Sequence, residues 1–100
     1  MTTYKLRDGV LRAELDGEEV LLNPETGVYH LVNGTGIQVL IHFEAAASVD
    51  EVVRLISEAT HENASHVRQD VIRFVDAMVE RNLLERVEDE GAKDSGIDTR

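Results

Sequence analysis

Cysteine does not occur in this chain of 100 residues. Disulfides, thiolate zinc sites and a cysteine nucleophile are thereby excluded. Tryptophan is also missing, and two tyrosines and two phenylalanines are the only aromatics, so the core must be built from aliphatic side chains. There is a single proline, Pro24. No apolar run is long enough to span a bilayer, and the start Met1-Thr2-Thr3-Tyr4-Lys5-Leu6-Arg7 lacks the pattern of a signal peptide. The expected location is the cytoplasm, with no membrane contact. Basic side chains are scarce: ten against twenty acidic ones, a net charge of −10. Such a surface repels phosphate backbones and anionic lipid, which argues against nucleic acid as a partner. It suits a basic or neutral partner, or serves solubility alone.

What is present fits one domain. Residues 1–87 carry the periodic patterns. Residues 88–100 are acidic and poor in large apolar side chains, and are expected to be a disordered tail. Three strands are predicted first. Val10 to Leu15 and Glu18 to Leu22 flank Asp16-Gly17, a strong two-residue hairpin signal. Gly27 to Val32 follows Asn23-Pro24-Glu25-Thr26-Gly27, where Pro24 presets φ and Gly27 supplies a positive φ. Tyr4 to Leu6 either extends the first strand or stands apart. Leu83-Leu84 is expected to fold back onto the core.

Three helices are predicted next. The first runs from about Gly34 to Phe43, with Asn33 as its cap and Ile37, Leu40 and Ile41 as its apolar face. The second opens on the capping box Ser48-Val49-Asp50-Glu51, with Val49, Val52, Val53 and Ile56 as its stripe. The third runs from about Asn63 to Asn82. Its stripe Val67, Val71, Phe74, Met78 is widened by Ile72, Val75 and Val79. The extra width either packs on the other helices or borders a groove. The predicted class is therefore α+β: a three-stranded antiparallel meander followed by three helices.

No catalytic or metal constellation emerges. His61 and His66 stand five apart, whereas zinc-binding histidines on a helix need a spacing of four. Gly34-Thr35-Gly36 is too short for a phosphate loop, and no strained serine elbow is present. No cofactor is expected, and the chain reads as a binding module, not an enzyme. The Gly27–Val32 strand leads into a helix instead of another hairpin strand. Its far edge is then open, and an open edge beside a helix suits an extended peptide. Open edges also pair with each other, which allows a weak homodimer.

The order of elements, the block Val20-Leu21-Leu22-Asn23-Pro24-Glu25-Thr26-Gly27-Val28-Tyr29-His30-Leu31-Val32-Asn33, then Asp70-Val71 and Asn82-Leu83-Leu84, resembles the PqqD-like family. These are leader-recognition proteins of ribosomally made, modified peptides, and small free-standing members often serve lasso-peptide pathways. The resemblance covers roughly Val10 to Leu84. It implies a winged-helix-like fold. It further implies a precursor leader peptide that adds as a strand to the third strand, against the third helix, and is presented to a separate leader peptidase or other maturation enzyme. Carried onto this sequence, the peptide-binding residues are Val28, Tyr29, His30, Leu31, Val32, Val67, Asp70, Val71, Phe74 and Met78. Extra glycine at the first helix start and His30 in the strand depart from the family pattern. On strand alternation, Leu31 is expected to face the core, with Tyr29 on the same face either edging the groove or buried. The competing function is a winged-helix DNA-binding regulator, against which the balanced charges of the third helix speak.

Overall fold

The computed structural model describes residues 2–87; the expected tail at 88–100 lies outside the described residues. Five strands and three helices follow in the order β1 (Thr3–Leu6), β2 (Leu11–Leu15), β3 (Glu18–Asn23), β4 (Val28–Val32), α1 (Gly34–Leu40), α2 (Val49–Thr60), α3 (Ala64–Glu80), β5 (Leu84–Val87). A 3₁₀ turn over Ile41–Phe43 prolongs α1. The predicted meander is present as the antiparallel sheet β2-β3-β4. Tyr4 to Leu6 stands apart from it, pairing with β5 in a second, two-stranded ribbon. That ribbon was not predicted, because its two strands are about eighty residues apart and carry no mutual local signal. Backbone bonds from Tyr4 to Ala47, 2.8 and 3.0 Å, join it to the helical layer.

Local chemistry accounts for the turns. Asp16 and Gly17 both have positive φ, 53° and 82°, as a two-residue hairpin requires. In the next turn the Gly27 amide donates to the Asn23 carbonyl at 2.8 Å, with Gly27 at φ 76°. The buried Asn23 side chain works at both ends. Its Oδ1 accepts from the Glu25 amide at 2.9 Å, and its Nδ2 donates to the Asn82 carbonyl at 2.8 Å. One amide group thus shapes the β3–β4 turn and fastens it to the C-terminal end of α3.

Ser48 caps α2 by accepting from the Glu51 amide at 3.1 Å. Asn63 caps α3 by accepting from Ser65 and His66 amides at 2.8 and 3.4 Å. Asn82 is left-handed, φ 59°, as expected of a residue ending the helix. Asn33 stands at the N-cap of α1 in extended conformation but makes no capping bond with its side chain. The expected α1 face is also shifted: Leu40 is buried, Ile37 half-buried and Ile41 exposed, with Val39 buried instead. In the 3₁₀ turn that follows, Ile41 is exposed and Phe43 is buried.

The core joins Leu21 and Val32 from the sheet to Leu40, Phe43, Val52, Val53, Val71, Val75, Met78, Leu83 and Leu84. Tyr4 packs edge-on to Phe43 with centroids 6.5 Å apart. Arg12 ties the meander to the helical layer through Glu19 and Glu44. Hydrogen bonds to Glu19 and then Glu44 raise its pKa further above the ordinary arginine value.

Leu31 overturns the expected facing of β4. It is 51% exposed, whereas Val32 is 2% exposed, so the core face is the one carrying His30 and Val32. Register decides this: Leu21, fully buried on β3, pairs with His30, so His30 shares the inner face. Leu31 and Tyr29 lie opposite Val20 and Leu22 on the outer face.

Candidate functional site: the crevice between β4 and α3

The meander has two edges, β2 and β4, with no paired strand among the described residues. They differ in what stands beside them. α1 packs on β3, β4 and α3 together, and so holds β4 and α3 apart as well as together. The resulting open crevice has a volume of about 510 Å³. His30 and Asn33 line it from the strand side. Asp70, Arg73, Phe74, Ala77 and Met78 line it from α3, with Thr35, Gly36 and Val39 from α1. Three side chains on one face of α3 recur at the spacing of a turn: Asp70, Phe74 and Ala77.

Gly36 explains the glycine-rich start of α1. A Cβ there would lie 2.7 Å from Cγ1 of Val32 and 3.4 Å from Phe74. A methyl group there would have to displace the Val32 side chain, so glycine lets α1 sit tightly between the end of β4 and the Phe74 ring. Of the glycines that depart from the family pattern at this helix start, Gly36 permits close packing.

The wall is mixed in character. Asp70 and Arg73 face each other at 3.7 Å, both well exposed. Phe74 is half-buried and packs against the core. The pKa of His30 is lowered, first by burial and second by repulsion from the Arg81 guanidinium. A neutral imidazole therefore faces the crevice at neutral pH, offering one donor and one acceptor.

Of the ten residues singled out from the sequence, His30, Asp70, Phe74 and Met78 line the crevice. Val32 is buried beneath it. Val67 and Val71 are core residues; with Asp70, Thr35 and Val39 they bound a smaller cleft of about 50 Å³ that continues the crevice between α1, α2 and α3. Val28, Tyr29 and Leu31 do not line the crevice, and only their backbone lies on the open edge. Asn33, Thr35, Gly36, Val39, Arg73 and Ala77 line it without having been singled out. Ala77 carried a readable signal, a small residue one turn beyond Phe74. The opposite border of α3 faces elsewhere: Arg68 bonds to Asp50 of α2, Val75 is buried and Ile72 is exposed.

Among the described residues no group of side chains could hold a metal ion, and no helix is long and apolar enough to cross a membrane. The second and third of three similar solved structures establish only the fold. Residues 18–84 match the family model described as coenzyme PQQ synthesis protein D (PqqD). TbiB1, solved in complex with the TbiA(beta) leader peptide, is 29% identical with a TM-score of 0.72, covering 85% of this chain and 99% of that one. A lasso peptide synthetase B1 complexed with its leader peptide is 20% identical, TM-score 0.70, covering 82% and 96%. The PqqD part of PqqCD from Methylobacterium extorquens, a stand-alone recognition element for ribosomally made peptides, is 16% identical, TM-score 0.68, covering 83% and 88%. A comparison with curated proteins finds no significant match.

Proposed function

The chain belongs to the PqqD family, and from that premise we propose that it binds the leader segment of a ribosomally made precursor peptide and presents it to a separate maturation enzyme. The leader adds as a strand to the open edge of β4. Main-chain ladder bonds supply affinity for an extended segment, and the crevice selects its side chains. The observation that carries this reading is the position of that edge: of the two open edges, β4 faces a crevice walled by α3. The likeness to TbiB1, whose structure holds a leader peptide, supports it.

Each lining residue then has a task. Phe74 offers apolar surface to side chains of the leader that alternate inward, and the fully buried Met78 supports the crevice floor from the core. Asp70 and Arg73 offer one charge of each sign at the rim. Neutral His30 offers a hydrogen bond. Val28, Tyr29, Leu31 and Val32 act through their backbone. Val67 and Val71 back the smaller cleft that receives residues beyond the added strand. The role is recognition; no step of chemistry is assigned to this chain. DNA binding is disfavoured by the net charge of −10 and by the pairing of Arg73 with Asp70 and of Arg68 with Asp50 on α3.

The test is a titration of the isotope-labelled chain with its cognate leader. Amide shifts should concentrate on β4 and α3. Shifts centred on β2, or on α2 alone, would overturn the reading.

A further inference from the structure

The outer face of the meander is apolar and uncovered. Register places Leu11, Ala13 and Leu15 of β2 on the same face as Val20 and Leu22 of β3 and Tyr29 and Leu31 of β4. Leu11 is 56% exposed, Leu15 62% and Tyr29 70%. Together these side chains expose on the order of 500 Å², near the upper end of what monomeric proteins leave open. Solubility alone would replace such residues by polar ones, as an antiparallel sheet normally does on its solvent face.

We propose that this face docks the maturation enzyme, through an apolar patch on the enzyme bordered by Lys and Arg. Charge chooses the occupant. Asp16 in the hairpin turn and Glu18 on the face itself border the patch, and among the described residues the salt bridges take other acids. A second copy would bring face to face two chains that each carry −10. Residues 88–100 of this chain hold five acidic and two basic side chains, and are disfavoured on the same ground. A basic-rimmed protein meets no such penalty. The exposed apolar area also matches the centre of a standard interface, which buries about 800 Å² on each partner.

Position gives the face its use. Tyr29 and Leu31 project from the same strand whose edge receives the peptide. An added strand would continue the sheet, so an enzyme seated on the outer face would meet the outward side chains of the bound leader. Affinity for the peptide and for the enzyme would then be carried by opposite sides of one sheet. This rests on the proposed function for the identity of the occupant, not for the existence of the docking face.

The experiment uses the full-length chain and the purified maturation enzyme of its pathway. Two variants avoid the crevice: the double change Leu11→Thr with Leu15→Thr, and Glu18→Lys. Threonine keeps strand preference while removing apolar surface. The double variant should weaken enzyme binding at least tenfold, and Glu18→Lys several-fold, with wild-type binding falling as salt rises. Leader affinity, measured separately by anisotropy of a labelled leader, should stay within twofold, and melting should confirm folding. Unchanged enzyme affinity in both variants, or no enzyme binding by the wild type, overturns the proposal. So does sedimentation showing a wild-type dimer that the double variant dissolves, or a gain of enzyme affinity on deleting residues 88–100, since another occupant would then cover the face. A wild type that binds the enzyme but not the leader would overturn the proposed function and leave the docking face standing.

Discussion

Replacing Asn23 by alanine should loosen the joint that sets the crevice. The side chain is 3% exposed and makes two bonds, to the Asn82 carbonyl and from the Glu25 amide. A typical net hydrogen bond contributes about 1 kcal/mol, so losing both should cost about 2 kcal/mol. For a domain of this size that is a fall in Tm of roughly 8–16 °C. Asn23→Asp separates the two bonds. It keeps the acceptor for Glu25 but removes the donor, and sets a carboxylate against the Asn82 carbonyl. At neutral pH it should be no more stable than Asn23→Ala. Protonation of that carboxyl restores a donor, so its folded pKa is raised above the unfolded value of about 3.9. The folded state then binds more protons, and Asn23→Asp should gain stability relative to Asn23→Ala as pH falls through that raised value. Thermal melts of both variants between neutral pH and pH 4 measure this. A Tm for Asn23→Ala within about 2 °C of wild type, or no relative gain by Asn23→Asp in acid, would refute the assignment of the Asn82 bond as a tertiary tie.

Gly36→Ala should force Val32 or Phe74 aside, lowering stability by roughly 1–3 kcal/mol and weakening leader binding, where Gly34→Ala, with open space around it, should change either far less; denaturant titration of both variants reads the difference. Asp70→Ala should leave stability within about 1 kcal/mol, because its pair with Arg73 is exposed, while Phe74→Ala should lower both stability and leader affinity; paired melting and binding curves check this. His30 has a folded pKa below its unfolded value of 6.5, so its contribution to stability is present above about pH 6.5 and lost as pH falls toward the lowered value. His30→Gln should flatten that part of the stability profile, and titration of the imidazole by NMR should place its midpoint below 6.5.

The sequence by itself determined the elements whose signals are local. Asp16-Gly17 and Asn23-to-Gly27 specify turns through backbone conformation, Ser48 and Asn63 mark helix starts through their side-chain oxygens, and the meander and three helices follow. The β1–β5 ribbon was not legible, because short strands at opposite ends of the chain declare no partner. Nor was the facing of β4. Tyr29 and Leu31 carry as much apolar carbon as Val28 and Val32, so alternation allows either face to turn inward, and a shift of one residue exchanges them. The choice was made by register against β3, where Leu21 and Asn23 are buried. The crevice likewise depends on tertiary contact. Asp70 and Phe74 could be placed on one face of α3 from spacing, but the close approach at Gly36 and the Asn23–Asn82 tie decided that this face looks toward β4. Local chemistry fixes how each segment folds; only the packing of one segment on another decides which surfaces remain open to a partner.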